Sequence, residues 1–192
     1  MKSWIKKAAA IGLSLTLAFT AAGCSDSNDT AVKKTVPEGE KVKVYTVLQA
    51  QGDFVREIGK DHVEVESFIP VGTNFWQWAP TLVETGKLET ADVFVINGGE
   101  LEKRWSDQTY ATLKLKNKDL VIVDPSEGLE QLKLQRYYNP DASEDEKKKE
   151  HIDPFFYMDP VNVKSEVDKI VEGLSKKSTG VRGRFQEERR RL

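Results

Sequence analysis

Four short apolar runs, separated by segments suited to helices, constrain the fold more than any other feature of this chain. The runs are rich in valine and isoleucine and begin at Val42, Val63, Val93 and Leu120. Near-continuous apolar runs are typical of parallel strands that are buried on both faces of a sheet. The alternation predicts an α/β fold, namely a single lobe with a four-stranded, mainly parallel sheet flanked by helices.

The segments between the runs predict where the helices and the binding loops lie. Helices are expected within residues 53–59, 80–89 and 101–115, and the whole lobe within residues 41–158. In open parallel sheets, ligands gather at the carboxyl ends of the strands, so the loops after each strand are the candidate binding loops. The pair Gly98-Gly99 follows the third strand, and a tight turn explains it better than a ligand contact does.

The amino-terminal segment has the composition of a signal peptide. Residues 1–23 contain three lysines, an apolar run from Ala8 to Phe19 and the small residues Ala-Ala-Gly at the end, with no acidic residue. The apolar run is short for a membrane span, which needs about 20 residues. Cys24 follows directly and resembles the acylated cysteine of a bacterial lipobox. The alternatives are ordinary secretory cleavage beside an incidental thiol, or an uncleaved anchor.

Charge and cysteine content limit the partners of the predicted mature chain. Without the three lysines of residues 1–23, the 29 basic residues fall to 26 against 31 acidic ones, a net charge of about −5. This balance offers no electrostatic reason to expect nucleic acid or an anionic membrane as a partner. Residues 24–40 are polar and predict a lipidated, flexible tether. Cys24 is the only cysteine, so no disulfide is expected.

The last third of the chain contains three segments that differ in composition. Residues 127–152 are strongly charged and predict a mobile loop. Residues 159–177 predict a helix with Asp159 as its N-cap, because Pro160 follows directly and an apolar stripe continues to Leu174. Residues 178–192 are basic and interrupted by glycine. They predict an irregular tail outside the lobe, as a truncated or frameshifted chain would have.

Two loop segments carry a family resemblance. Residues 70–81 read Pro-Val-Gly-Thr-Asn-Phe-Trp-Gln-Trp-Ala-Pro-Thr, and residues 151–160 read His-Ile-Asp-Pro-Phe-Phe-Tyr-Met-Asp-Pro. They resemble the signature loops in the amino-terminal lobe of metal-binding receptors of bacterial ABC transporters, with patterns similar to P-x-G-x-x-P-H-x-x-E-P-T and D-P-H-x-W-x-D-P. The order and spacing of the surrounding segments, from Val42 to Leu174, support this resemblance.

The resemblance implies a function and a cellular location. Members of that family bind zinc or manganese and deliver it to a membrane permease driven by a cytoplasmic ATPase. The resemblance therefore implies a lipid-anchored, extracytoplasmic solute-binding component, with the membrane contacted through Cys24. It also implies that residues 159–177 begin the long helix that connects two lobes. The second lobe of such a receptor has no counterpart in this sequence.

The metal-binding positions of the family are altered in this chain. Trp76 and Phe155 stand where the resemblance places the two histidines of the amino-terminal lobe. An indole offers only an N–H donor and a phenyl ring has no lone pair, so neither can coordinate zinc in place of imidazole. The residues themselves therefore predict no metal or other cofactor, and zinc or manganese is implied by the resemblance alone. The receptor is expected to be degenerate.

Aromatic residues replace the metal ligands and suggest a different ligand. If the two loops meet, their rings form a surface able to bind an organic cation or a flat apolar molecule. The alternative is that some of the rings only pack the loops onto the sheet. The candidate ligand pocket consists of Phe75, Trp76, Trp78, Phe155 and Tyr157.

A makeshift metal site and catalysis are both weakly supported. His151, Asp153 and Asp159 are the only candidate ligands near the loops, and Asp159 is already assigned as a helix cap. The other histidine, His62, is expected to be a surface or turn residue. No Ser–His–acid set, metal-binding histidine pair or phosphate-binding glycine loop is present, so the chain is not expected to be an enzyme. Two functions remain: a degenerate metal-importer receptor, or a surface lipoprotein that binds a non-metal ligand or a protein.

Overall fold

The computed structural model describes five stretches of the chain, and every structural statement refers to them. They are residues 35–98, 101–130, 132–134, 142–179 and 182–192. The predicted signal peptide, Cys24 and most of the predicted tether lie outside these residues. Among the helices that are described, none is long and apolar enough to cross a membrane.

The predicted α/β lobe is confirmed, and its four strands are all parallel. They pair in the spatial order β2-β1-β3-β4. Val44 of β1 lies opposite Val65 of β2 on one side and Val93 of β3 on the other. The strands are β1 (Val42–Thr46), β2 (Val63–Ser67), β3 (Val93–Val95) and β4 (Val121–Val123).

Helices follow the strands along the chain, as the sequence predicts. They are α1 (Gln49–Gly59), α2 (Leu82–Lys87), α3 (Lys103–Lys116), α4 (Glu144–Lys147), α5 (Pro160–Lys177) and α6 (Arg182–Arg189). Helix α2 begins at a reciprocal cap: the Thr81 hydroxyl accepts from the Glu84 N–H, and the Glu84 carboxylate accepts from the Thr81 N–H. This cap fixes Thr81 as the end of the loop formed by residues 70–81.

Side chains from the two faces of the sheet form two apolar cores. Val93 and Val95 belong to the core under α1, α5 and α6, whereas Phe94, between them in β3, belongs to the core under α3. Alternation of this kind is the geometry of a pleated strand. All three of these side chains have 0% exposure. The continuous apolar run of β3 therefore reflects burial on both faces, whereas β1 and β2 expose Lys43 and Glu64.

Helix α5 occupies the residues predicted for a helix at 159–177. The Asp159 carboxylate accepts a hydrogen bond of 2.9 Å from the Val161 N–H, which confirms the predicted cap. Its apolar stripe covers the sheet, with Val167, Ile170 and Leu174 at most 4% exposed. Gly173 permits the close approach, since a Cβ there would lie 2.2 Å from a Val123 methyl group.

The predicted irregular tail is wrong for its second half, because residues 182–189 form helix α6. Phe185 is completely buried in the core that also contains α1 and α5 residues. A helix of eight residues is unstable alone, even with the good helix formers Arg, Gln and Glu, so the burial of its single large apolar residue stabilises α6. The Arg189 guanidinium also pairs with Asp168 of α5 over 2.9 Å.

Two further segments are more attached to the lobe than the sequence predicts. The Val36 N–H, inside the predicted tether, donates to the Lys177 carbonyl over 2.8 Å, and the Val36 side chain packs on the core. The ends of the predicted loop at residues 127–152 are also joined, because Lys133 and Ile152 form an antiparallel bridge. Backbone pairing within the lobe holds both segments.

Candidate ligand-binding site

Two loops meet at the carboxyl ends of the strands. Residues 70–81 follow β2, and residues 151–160 lead into α5. In the first loop the Asn74 carboxamide oxygen accepts from the Trp76 N–H over 3.1 Å, and the Asn74 carbonyl accepts from the Trp78 N–H. This side-chain turn sets the directions of the rings that follow it.

The rings of the two loops form one surface, which we call the aromatic patch: Phe75, Trp76, Phe155 and Tyr157. Ring centroids lie 5.9 Å apart for Phe75 and Phe155, and 6.5 Å apart for Trp76 and Phe155. Tyr157 continues the patch at 6.4 Å from Phe155. These separations and the steep angles between the rings are typical of favourable edge-to-face contacts. All four side chains are only partly buried, so a ligand can reach them.

Trp78, the fifth predicted pocket residue, lies apart from the patch. Its ring packs edge-to-face on Phe68 at 5.3 Å and on Trp105 at 5.6 Å. It contacts the core under α3, as the alternative interpretation of the loop aromatics proposed. Trp76 and Trp78, two positions apart and both partly buried, therefore pack on different neighbours.

A buried polar network supports the second loop from below. The Gln51 amide donates to the Asn97 side-chain oxygen over 2.8 Å, and the Asn97 amide donates to the Pro154 carbonyl over 3.2 Å. Gln51 and Asn97 have 0% exposure. The network joins the start of α1, the end of β3 and the residue before Phe155. Sequence reasoning missed it because neither polar residue belongs to a motif.

Gly98 follows this network in a conformation that supports the predicted turn. Its φ of 80° is in the left-handed region, and a Cβ would lie 2.2 Å from the Ser126 hydroxyl oxygen. Its N–H donates over 2.7 Å to the carboxylate of Glu102, which is 3% exposed. Burial raises the pKa of Glu102 to about 7, although this hydrogen bond acts in the opposite direction. Gly99 lies outside the described residues.

The weak candidates for metal ligands are engaged within their own loop. The Asp153 carboxylate accepts from the Phe155 N–H over 2.8 Å, and Asp159 caps α5. His151 is 5% exposed, and its carbonyl accepts from the Leu134 N–H. Among the residues that the structure describes, no group of three or more His, Cys, Asp or Glu side chains is placed to hold a metal ion. The described residues do not fit a zinc or manganese site.

Glu166 is a buried acid that the sequence analysis missed. It has 0% exposure, and neither carboxylate oxygen has a hydrogen-bond partner in the described part of the chain. Burial raises its pKa to about 7. Burial also raises the pKa of Tyr157, and the charges of Glu166 and Asp153 raise it further. An acid between Val163 and Val167 in the apolar stripe of α5 was the available sequence signal.

The chain matches the family model described as zinc-uptake complex component A, periplasmic, over residues 44–191. The chain belongs to this family. The match includes α6, in contrast to the expectation that the tail lies outside the family sequence. Trp76 and Phe155, where the resemblance places two histidines, both lie inside the matched range.

Curated relatives of the family support the same assignment at low identity. The manganese-binding lipoprotein MntA of Halalkalibacterium halodurans is 26% identical over 160 residues, which are 83% of this chain and 46% of the relative. The high-affinity zinc uptake system protein ZnuA of Bacillus subtilis is 26% identical over 161 residues, which are 83% and 48%. The chain spans about half the length of these relatives.

Solved structures show the same fold. A crystal structure of ZnuA superposes with a TM-score of 0.66 at 19% identity, covering 79% of this chain and 55% of that one. Zn(II)-bound AdcA from Streptococcus pneumoniae superposes with a TM-score of 0.64 at 20% identity, covering 79% of this chain and 29% of that one. The likeness at this identity concerns the fold alone.

Proposed function

We propose that this chain is an extracytoplasmic, lipid-anchored solute-binding component of the metal-importer type whose amino-lobe site no longer holds zinc or manganese. It acts by binding and not by catalysis. Cys24 carries the lipid, and the partners are a membrane permease and its cytoplasmic ATPase. The named relatives, a manganese-binding lipoprotein and a zinc uptake protein, support the transport pathway.

One observation carries the loss of metal binding. The two loops meet as a binding site requires, yet the rings that meet are Trp76 and Phe155, with centroids 6.5 Å apart. The family resemblance places a histidine at each of these positions. Zinc needs about four nitrogen, oxygen or sulfur donors, and these two side chains supply none. The loop geometry is retained while its donors are replaced.

A second function is favoured by the exposure of the same rings. The aromatic patch presents partly buried faces and edges at the carboxyl ends of the strands, where open parallel sheets bind ligands. Ring faces attract organic cations and stack on flat apolar molecules. In this alternative the chain is a surface lipoprotein that binds a non-metal ligand or a protein through the patch.

Restoring the histidines tests the first proposal. The chain from Ser25 onward, treated with chelator, is titrated with zinc and then manganese and analysed by native mass spectrometry. Wild type is expected to bind no ion, and Trp76→His/Phe155→His is expected to gain weak but saturable binding of one zinc ion per chain, because it restores two of about four donors. Each single histidine variant is the matched control and is expected to bind at least tenfold more weakly, because one donor is lost.

Two results would contradict this proposal. One tightly held ion in wild type would mean that other side chains are ligands, and the loss of that ion in His151→Ala would identify them. A folded double variant without zinc would mean that the two positions lack the geometry of a metal site. For the alternative function, choline is titrated against tryptophan fluorescence. A saturable change that disappears in Trp76→Leu supports the patch, and an identical change in that variant refutes it.

A further inference from the structure

The described chain begins at the edge of the lobe opposite to the aromatic patch. The Val36 N–H donates to the carbonyl of Lys177, the last residue of α5. Val36 and Lys177 also share a shallow groove with Lys41 and Asp92, which precede β1 and β3. This groove therefore marks the amino ends of the strands. Residue 35, the first described residue, also lies at this edge.

A basic groove runs along the second half of α5, from Asp168 to the end of the helix. It lies between α5 and α6, encloses about 870 Å³ and is lined by four basic and two acidic residues, together with Ser175. Both acids are already paired: Asp168 with Arg189 over 2.9 Å, and Glu172 with Lys176 over 2.7 Å. The groove therefore keeps an excess of positive charge.

Two arginines supply that excess. Arg182 and Arg190 line the groove, are exposed, and form no ion pair with a described residue. Residues 182–192 contain five arginines and two glutamates, a net charge of +3 in a chain whose overall charge is −2. Charges further apart than about 10 Å are screened at 0.1 M salt, so a nearby anion responds to this local charge and not to the overall charge.

A buried hydroxyl in the same groove also lacks a partner. Ser175 is 8% exposed, and its oxygen has no hydrogen-bond partner among the described residues. An unpaired buried hydroxyl is unfavourable because it has lost its hydrogen bonds to water. It is available to donate to an anionic oxygen that enters the groove. Guanidinium groups bind phosphate oxygens through paired, charge-assisted hydrogen bonds.

We propose that the groove between α5 and α6 docks on the anionic phospholipid headgroups of the membrane that carries the anchor. The proposal rests on the proposed lipidation of Cys24 for its proximity to that membrane. Val36 is twelve positions after Cys24, a reach of about 40 Å when extended and about 20 Å as a random coil. A tether of this length keeps the groove close to the membrane surface. Its effective concentration there is then high enough to support a weak contact.

The groove lies on the helical face of the lobe that α5 and α6 form, and its Arg190 end lies beside Pro160 and Val163 in the first turn of α5. Docking through the groove therefore places this helical face against the lipid surface. Arg182 and Arg190 are the residues that set this orientation, with the Ser175 hydroxyl as an additional donor to the headgroup phosphate.

Vesicle binding by the unlipidated chain tests the proposal. The chain from Ser25 onward is sedimented with vesicles of 40% phosphatidylglycerol in phosphatidylcholine, and with phosphatidylcholine vesicles. Binding is expected only to the anionic vesicles at 20 mM salt, and it is expected to disappear at 300 mM salt. Arg182→Glu/Arg190→Glu is expected to weaken binding at least about tenfold, because each basic residue near an anionic surface contributes to affinity.

A matched charge reversal elsewhere is the control. Lys147→Glu/Lys148→Glu makes the same change of charge in the exposed segment around α4 and is expected to bind like wild type. Circular dichroism verifies that all variants are folded. Equal binding by the arginine variant and wild type, or equal binding to both kinds of vesicle, would overturn the proposal. Lipidation is measured separately, by the mass of the membrane-extracted chain, so failure of the anchor and failure of the groove give different results.

Discussion

Two clusters of aromatic rings, similar in geometry, occupy opposite environments in this lobe. In the core cluster under α3, Phe68 contacts Phe94 at 5.5 Å and Trp78 at 5.3 Å. In the aromatic patch, Phe75 contacts Phe155 at 5.9 Å. Most of these contacts are edge-to-face. Phe68 and Phe94 are buried in the core under α3, and the partly buried Trp78 packs against them. The patch rings lie on two loops and are partly exposed, although Phe75 also packs against this core.

The difference shows that ring geometry alone does not separate a packing role from a binding role. An edge-to-face pair adds about 0.5–1.5 kcal/mol in either place. Burial contributes more, because removing a large buried side chain loses its transfer free energy and leaves a cavity. Trp76 and Trp78 belong to the same loop and are both partly buried, yet of the two only Trp78 packs against the core under α3. We therefore expect core rings to control stability and patch rings to control binding.

The largest expected effect compares a phenylalanine from each cluster. Phe94→Ala is expected to lower the free energy of unfolding by about 3–5 kcal/mol, because Phe94 has 0% exposure. Phe155→Ala is expected to lower it by about 1 kcal/mol, because Phe155 is only partly buried. Urea unfolding followed by far-UV circular dichroism measures both values. Equal losses would mean that the patch is part of the core.

An intermediate effect is expected from the buried acid near the patch. Burial raises the pKa of Glu166 to about 7, above its ordinary value of 4.5. The native state therefore binds more protons than the unfolded state between these values, so this group lowers stability as the pH rises from about 4.5 to above 7. Glu166→Gln removes the ionisable group and is expected to stabilise the lobe at pH 8, by about 1 kcal/mol or more, but not at pH 5.

Thermal unfolding at pH 5, 6, 7 and 8 measures this pH dependence. Glu102 has a pKa raised in the same direction, so the variant is expected to retain part of the wild-type slope. Glu64→Gln, at an exposed position, is the control and is expected to leave the profile unchanged. A Glu166→Gln profile parallel to that of wild type would show that Glu166 titrates normally.

The smallest expected effect is the coupling between the two loops. A double-mutant cycle of Trp76→Ala and Phe155→Ala is expected to give an interaction free energy of about 0.5–1.5 kcal/mol, since the rings meet at 6.5 Å. Chemical denaturation of the four proteins measures it. The pair Trp76→Ala and Leu115→Ala, with Leu115 exposed near the end of α3, is expected to be additive. Additivity of the first pair would show that the loops do not meet in solution.

Local sequence patterns were sufficient to predict the sheet and the site's location. The Val/Ile runs predicted parallel strands because such runs are typical of strands buried in a parallel sheet. The first loop was placed at the carboxyl edge because it follows β2, whereas its meeting with the loop before α5 was expected only from the family resemblance. The Asp159 cap was predicted because capping depends on neighbouring residues alone. That Trp76 and Phe155 stand in place of two histidines is an interpretation that rests on the same resemblance.

The environment of individual side chains was not predictable in the same way. Trp76 and Trp78 look alike in sequence, and the residues of α6 were predicted to form an irregular tail. Glu166 appeared as one acid in an amphipathic stripe, and the arginines of the last eleven residues were averaged into a negative net charge. Each of these depends on which distant residues pack against the side chain.

The sequence by itself determined the parallel sheet, the loops that carry the site and the absence of histidine from its two expected positions. Only the tertiary structure decided that Trp78 joins the core, that Phe185 holds α6 against α1 and α5, and that Glu166 is buried without a partner. The physical reason is the distance along the chain between the residues that interact. Strand periodicity and caps arise from residues close in the chain, whereas burial arises from contacts between residues far apart in it.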